Sequence, residues 1–240
     1  MVEISPDKVK MMIRLRPKFV CLAVLAACSL LAQGAFAAAK SHGPELDEVK
    51  IAPHAVVGGS PTAVTGTVKL EDAAPTGGVT ITLGSSDTTV VTVPSSVTIA
   101  AGAKSADFAI STLQVSKESE IKITATLGTK HRCEELEVRP FEVKDFSFNP
   151  STIKGGSIFT GFQPSVGTIT INAPAGAAGV VVQLTSDTAG TSAKNSVTIP
   201  AGSTSVNFSL IANSVPKTTA VKFTAAIGHS HKSAILTITP

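Results

Sequence analysis

The stretch Ile121-Lys-Ile-Thr-Ala-Thr-Leu-Gly128 returns as Val221-Lys-Phe-Thr-Ala-Ala-Ile-Gly228, at an offset of 100 residues. Apolar and polar side chains alternate along both stretches, and this period of two is typical of a strand with one buried face. The glycine that ends each stretch marks a turn. The pattern therefore predicts one strand at the same place in two copies of a β unit.

The duplication extends well beyond this strand. Val97-Thr-Ile-Ala-Ala-Gly-Ala-Lys-Ser-Ala-Asp-Phe-Ala-Ile110 matches Val197-Thr-Ile-Pro-Ala-Gly-Ser-Thr-Ser-Val-Asn-Phe-Ser-Leu210, and Leu136-Glu-Val-Arg-Pro140 matches Leu236-Thr-Ile-Thr-Pro240, all within a chain of 240 residues. A unit of about 100 residues is too long for a solenoid repeat and has the size of a whole domain. We therefore expect two complete domains.

The domain limits follow from these matches. We expect repeat one over 46–140 and repeat two over 141–240, with a linker from Phe141 to Asp145. About seven short strands per repeat, separated by turn signals, favour an antiparallel sandwich. The fold class is therefore all-β, with two tandem sandwiches. The rows expected to point inward are Ala106, Phe108, Ile110, Ile121, Ile123, Ala125 and Leu127, and their counterparts Val206, Phe208, Leu210, Val221, Phe223, Ala225 and Ile227.

Four segments resemble the bacterial immunoglobulin-like repeats of exported and cell-surface proteins. They are Ala74-Pro-Thr-Gly-Gly-Val-Thr-Ile-Thr-Leu83, Val97-Thr-Ile-Ala-Ala-Gly102, Ile123-Thr-Ala-Thr-Leu-Gly128 and Leu236-Thr-Ile-Thr-Pro240. The resemblance covers nearly all of 46–240 and implies immunoglobulin-like β-sandwiches, but it implies little about function. Such repeats often carry a Tyr before the glycine of the penultimate strand. Leu127 and Ile227 stand there, so a tyrosine corner is not expected.

The first 37 residues have the order of a secretory signal peptide. The basic stretch Arg14-Leu-Arg-Pro-Lys18 precedes an apolar run from Phe19 to Ala32, and Ala35-Phe-Ala37 offers a peptidase site. The run of about 14 residues is short for a bilayer span. We expect cleavage near Ala38, followed by a short linker over 38–45.

Cys28 supports a competing interpretation. Leu25-Ala-Ala-Cys28 resembles the lipobox of bacterial lipoproteins, in which the cysteine becomes a lipidated amino terminus. Because the apolar run continues to a better cleavage site, we favour plain export and keep the lipid anchor as the alternative. Cys21 and Cys28 then leave the mature chain or become its anchor. Cys133 remains as a free thiol, and no internal disulfide is expected.

Composition argues against several partner classes. Residues 38–240 hold 15 basic and 15 acidic residues, so nucleic acid is not an expected partner. Trp and Tyr are absent, which weakens a sugar-stacking site. No second apolar run is long enough for a membrane span. The charge is unevenly divided, since 47–140 hold 8 basic and 11 acidic residues and 141–240 hold 6 and 3.

Two sets of polar residues have side chains of the types found in metal or catalytic sites. His131, His229 and His231 fall near the last turn of each repeat, and the last two have metal-ligand spacing if both lie on a strand. No further ligand stands near that pair, so we interpret them as a polar hairpin end. Asp87 and Asp187 occupy matching places in Ser-Asp-Thr, and we interpret them as Asx-turns rather than catalytic or calcium-binding carboxylates.

Two further features have structural interpretations. Cys133 is expected to point outward, as a tolerated surface thiol rather than an interchain disulfide. The glycine pairs 58–59, 77–78 and 155–156 precede no helix and carry no Lys-Ser/Thr, so they are turn residues rather than phosphate loops.

We therefore assign no catalytic, metal or cofactor residue from the sequence. The pattern favours an exported, non-enzymatic structural or adhesive module in the periplasm, in the medium or at the cell surface. It would present loops or edge strands to a protein or cell-wall partner. The alternative is an envelope ligand-binding accessory protein, for example a carbohydrate binder. The oligomeric state is left open.

Overall fold

The fold is described from a computed structural model, which covers residues 43–156, 164–188 and 195–240. The predicted signal peptide, the lipobox cysteine Cys28 and most of the predicted linker 38–45 lie outside the described residues. Within the described residues, no helix is long and apolar enough to cross a membrane.

Repeat one consists of two packed sheets. One sheet has the strand order β1-β3-β7-β5, and the other has the order β2-β9-β8-β4-β6. The strands are β1 (Leu46–Ala52), β2 (Ala55–Val57), β3 (Val64–Leu70), β4 (Val79–Ser85), β5 (Val91–Thr92), β6 (Ser96–Ile99), β7 (Ser105–Thr112), β8 (Ser119–Leu127) and β9 (Lys130–Arg139).

Repeat two follows the same plan. Its sheets have the orders β10-β12-β15 and β11-β17-β16-β13-β14. The strands are β10 (Val143–Asn149), β11 (Thr152–Lys154), β12 (Ser165–Ile171), β13 (Val180–Ser186), β14 (Ser196–Ile199), β15 (Ser205–Leu210), β16 (Thr219–Ile227) and β17 (Ser230–Thr239). The all-β prediction with tandem sandwiches is confirmed.

The described residues form nine strands in repeat one and eight in repeat two, against about seven expected. One extra strand in each repeat arises because the first strand divides, and the other in repeat one is the two-residue β5. After β1 the chain turns at Pro53 and joins the other sheet as β2, which pairs parallel with β9. In repeat two the same turn lies at Pro150, and β11 pairs parallel with β17. The first strand of each repeat therefore contributes one segment to each of its two sheets.

The linker is shorter than the predicted Phe141–Asp145. Strand β9 ends at Arg139 and β10 begins at Val143, so only residues 140–142 separate them. A register shift between Val143 and Asp145 interrupts the alternation with the later Phe146. Because this β-bulge breaks the period of two, the sequence pattern hides the true start of the strand.

Each repeat has its own hydrophobic core. One buried cluster has members from Leu46 to Val138, and the other from Phe141 to Ile238. The predicted inward rows are confirmed, with Phe108, Ile123, Phe208 and Phe223 among the buried members and the ends of some rows, such as Leu127, half-buried. In repeat two, four phenylalanines form a chain of ring contacts with centroids 5.1–6.3 Å apart: Phe146, Phe148, Phe208 and Phe223.

Glycines allow the closest approaches in both cores. A Cβ on Gly66 would lie 2.2 Å from the ring of Phe108, and one on Gly167 would lie 2.4 Å from the ring of Phe208. Gly58 and Gly155, the first members of two predicted turn pairs, are buried. A Cβ on Gly58 would lie 2.3 Å from the Leu113 carbonyl oxygen, and one on Gly155 would lie 2.5 Å from the Asn213 carbonyl oxygen. These two glycines therefore serve close packing as well as turning.

Candidate interaction surfaces

Asp87 forms the predicted Asx-turn. Its Oδ1 accepts hydrogen bonds from the backbone N–H of Thr89 at 2.9 Å and from the Thr89 hydroxyl at 2.6 Å. These donors favour the ionised form and hold the pKa of the Asp87 carboxyl below its ordinary value of 3.8. The Asp87 carboxylate therefore stabilises the loop after β4 through these two hydrogen bonds.

Asp187 does not match Asp87, which corrects the sequence-based pairing. The Lys222 carbonyl accepts from the N–H of Asp187, and the Lys122 carbonyl accepts from the N–H of Ser86. Asp187 is thus the structural counterpart of Ser86. Its Oδ1 accepts the N–H of Lys222 at 3.0 Å, as the Ser86 hydroxyl oxygen accepts that of Lys122. The offset is 101 residues at β12 and β13 and returns to 100 at β14, because one residue fewer separates β13 from β14 than separates β4 from β6. The match at an offset of 100 is therefore only apparent.

Cys133 is exposed, as predicted. Its Sγ lies 3.5 Å from the Thr124 hydroxyl on the neighbouring strand. In repeat two, Ser233 and Thr224 form the equivalent contact at 3.0 Å. The thiol thus occupies a cross-strand position that a serine fills equally well, as expected of a tolerated surface residue.

The three histidines are exposed at hairpin ends. His131 is at the start of β9, but only His231 of the other pair is on a strand, since His229 lies in the turn before β17. The strand geometry that would make His229 and His231 a ligand pair is therefore not present. No group of three or more His, Cys, Asp or Glu side chains that could hold a metal ion occurs in the described part of the chain.

The outer face of the five-stranded sheet differs between the repeats. In repeat one, β8 and β9 pair Glu120 with Glu137 and Lys122 with Glu135. In repeat two, β16 and β17 pair Ala220 with Thr237 and Lys222 with Ile235. Ile235 is 59% exposed. One framework therefore carries a face rich in acidic residues in repeat one, and in repeat two a partly apolar face whose strands β16 and β17 hold no acidic residue.

A groove lies where the two repeats meet. It has a volume of about 470 Å³, and we call it the junction groove. Its lining residues are Ser116, Pro140, Phe141, Glu142, Val143, Lys144, Ile227, His229, Ser230, His231 and Lys232. The first comes from the β7–β8 loop of repeat one, and the others come from the linker, β10 and the β16–β17 hairpin.

The linker side of the groove is fixed by hydrogen bonds to repeat two. The Asn172 side chain accepts the N–H of Glu142 at 3.0 Å and donates to the Pro140 carbonyl at 3.2 Å. The N–H of Val143 donates to the Ser230 hydroxyl at 3.0 Å. Phe141, only 2% exposed, anchors the linker in the core of repeat two.

Sequence reasoning missed these positioning residues. Asn172 and Ser230 belong to no motif, and their partners lie 30 and 87 residues away. The one available signal was the unusually short linker, which forces the two repeats close together.

The groove carries an excess of positive charge. Lys144 and Lys232 face a single acid, Glu142, and the imidazoles of His229 and His231 lie in the same lining. Lys144 pairs with Glu142 at 2.8 Å. This hydrogen bond, with the nearby charges of Lys144, Arg139 and Lys232, holds the pKa of the Glu142 carboxyl below its ordinary value.

No protein-family model matches the chain, and no curated protein matches it. Among solved structures, the D0-D1 domain of intimin is 11% identical over 81% of this chain and 99% of that one, with a TM-score of 0.33. The titin domains z1z2 in complex with telethonin are 12% identical over 82% and 95%, with a TM-score of 0.32. The collagen adhesin CNA from S. aureus is 13% identical over 81% and 92%, with a TM-score of 0.28. A bacterial adhesin thus stands among the similar structures, but at such low scores we take nothing about function from the likeness.

Proposed function

We propose that the protein is an exported, non-enzymatic structural or adhesive module that presents its surface to a protein or cell-wall partner outside the cytoplasm. The observation that carries the proposal is that the polar side chains considered above as catalytic or reactive groups serve the fold. Hydrogen bonds within loops or between strands are made by Asp87, Asp187 and Cys133. The two repeats meanwhile share one framework and differ in what they display on it.

The sheet edges supply a second support. Strands β6 and β14 lie at the ends of their sheets and have the same sequence, Ser-Val-Thr-Ile. Edges are usually protected by charges or bulges. The edge strands β1 and β10 each have a charged residue and a β-bulge. Lys50 lies near the register shift of β1, and Lys144 lies within that of β10. Because β6 and β14 carry no charge, they are suited to pair with an added strand.

A carbohydrate-binding role gains no support from the described residues. All six phenylalanines among them are buried: Phe108, Phe141, Phe146, Phe148, Phe208 and Phe223. A sugar binds an aromatic side chain by stacking on an exposed face of its ring. A protein surface or a charged wall polymer is therefore the better candidate partner.

Export is tested by the intact mass of the protein recovered outside the cytoplasm. We expect an amino terminus near Ala38. A diacylglyceryl-modified Cys28 at the amino terminus would instead establish the lipid anchor.

Partner binding is tested by capture from an envelope and extracellular fraction on the immobilised mature chain. A matched bait carries Glu120→Lys and Glu135→Lys on the outer face of repeat one. We expect a reproducible partner on one or both baits, and no turnover of ester or peptide substrates. Failure to capture any partner, together with turnover that Asp87→Asn abolishes, would contradict the proposal.

A further inference from the structure

We propose that the junction groove binds an acidic segment of a protein partner, through Lys232, His229 and His231. This inference rests on the proposed function, because it names a site and a ligand chemistry for the same binding module. It is carried by the charge of the groove, by a contrast with repeat one, and by the rigidity of the groove walls.

The basic groups of the groove are unequally satisfied. Lys144 is paired with Glu142. Within the described residues, Lys232, His229 and His231 form no ion pair, although the charge of Lys232 helps to lower the pKa of the Glu142 carboxyl. Lys232 and His231 are exposed beside the cavity. A ligand carboxylate that enters the groove can therefore reach their donor groups without breaking an existing ion pair.

Repeat one lacks this excess of positive charge at the equivalent place. There Arg132 and His131 take the positions of Lys232 and His231, but Asp47 takes that of Lys144 and Lys130 takes that of Ser230. The Nε of Arg132 donates to the Asp47 carbonyl at 2.6 Å. Lys130 pairs with Glu45 at 3.8 Å, and Lys69 pairs with Asp47 at 3.0 Å. At this place in repeat one the positive charges are balanced by acidic residues, whereas in repeat two they are in excess. The same framework is compatible with both, so the excess positive charge is a feature of repeat two and not of the fold.

The groove is also held open by contacts that do not involve its charges. Asn172 fixes both Pro140 and Glu142, and Ser230 fixes Val143. Binding to walls that are already ordered costs less conformational entropy than binding to mobile loops. A segment with alternating acidic and small apolar residues would place carboxylates at Lys232 and side chains against Ile227 and Pro140.

A peptide fits the lining better than an acidic glycan does. The apolar part of the groove is aliphatic, from Pro140, Val143 and Ile227, and the one aromatic ring, Phe141, is buried. No ring face is offered to a sugar, whereas aliphatic surface beside cations suits a peptide of mixed acidic and apolar residues.

The test measures the fluorescence anisotropy of a labelled peptide of alternating Glu and Val on the mature chain. Lys232→Glu should weaken binding about tenfold, and raising the salt concentration about tenfold should weaken it further. The matched control is Lys217→Glu, which makes the same charge change in the β15–β16 loop at the other end of β16. It should change the affinity less than about twofold, the scale of a distant screened charge. Removing both imidazoles, with His229→Gln and His231→Gln, should weaken binding at unchanged thermal stability.

Three results would overturn the inference: no binding of the acidic peptide, equal losses for Lys232→Glu and Lys217→Glu, or binding of alginate at least as tight as that of the peptide. The last result would mark the groove as a polyanion site for glycans. Repeating the partner capture with a third bait that carries Lys232→Glu separates the two proposals. If the Lys232→Glu bait still retains its partner, the groove assignment fails while the proposed function stands.

Discussion

Repeat one and repeat two share the strand order of their five-stranded sheet, the parallel pairing of β2 and β11 with the last strand, and a glycine packed against a phenylalanine ring. On the outer face of the larger sheet they differ, because Glu135 of repeat one is replaced by Ile235 of repeat two. The interior positions are constrained by close packing and the exterior ones are not. The interior residues that the repeats share therefore determine the fold, and we expect the surface residues in which they differ to determine binding.

The largest expected effect tests the two cores. Phe108→Ala and Phe208→Ala should each cost about 3–5 kcal/mol in the repeat that carries the change. The second should cost more, by about 0.5–1.5 kcal/mol, because Phe208 also contacts Phe146 and Phe148 with centroids 6.3 Å apart. Chemical denaturation of the mature chain measures both. Equal costs would show that the aromatic chain of repeat two adds nothing.

A smaller effect tests the shared glycine. Gly66→Ala and Gly167→Ala should each destabilise by about 1–3 kcal/mol, since the added methyl group overlaps a phenylalanine ring. Gly84→Ala is the matched control, because a Cβ there meets no atom within 4 Å. If all three variants have the same cost, the loss comes from the strand backbone and not from the ring contact.

The sequence predicts most of this framework and little of the groove. Alternation from Ile121 to Leu127 and from Val221 to Ile227 identifies strands because a half-buried strand imposes it. The three-residue strands β2 and β11 are too short to show a period, and the bulge at Val143 hides a strand start. The junction groove depends on Asn172 and Ser230, whose contacts are long-range and leave no local pattern.

A titration tests the loop that Asp87 stabilises in repeat one. The folded-state pKa of Asp87 is depressed below 3.8, so its ionised form stabilises the fold above that value. The stabilisation is lost as the pH falls through the depressed pKa. Asp87→Asn should therefore be less stable than the wild type near neutral pH, and the difference should vanish in strong acid. A stability difference that does not change with pH would contradict a role for the charge.

The smallest effect tests the exposed face. Ile235→Glu gives repeat two the residue of repeat one, and Glu135→Ile makes the reverse change. Each should alter the free energy of unfolding by less than about 0.5 kcal/mol, because both positions are at the surface. Thermal melts of the two variants measure this, and a loss as large as that of Gly66→Ala would mean that the outer face is part of the folding framework.

The central claim is that two separate cores of one design display different surfaces. Hydrogen–deuterium exchange of the full mature chain carrying Phe108→Ala tests it most directly, with Phe208→Ala as the reciprocal variant. We expect faster exchange confined to β1–β9 in the first and to β10–β17 in the second. Faster exchange throughout both repeats in either variant would show one cooperative core and contradict the claim.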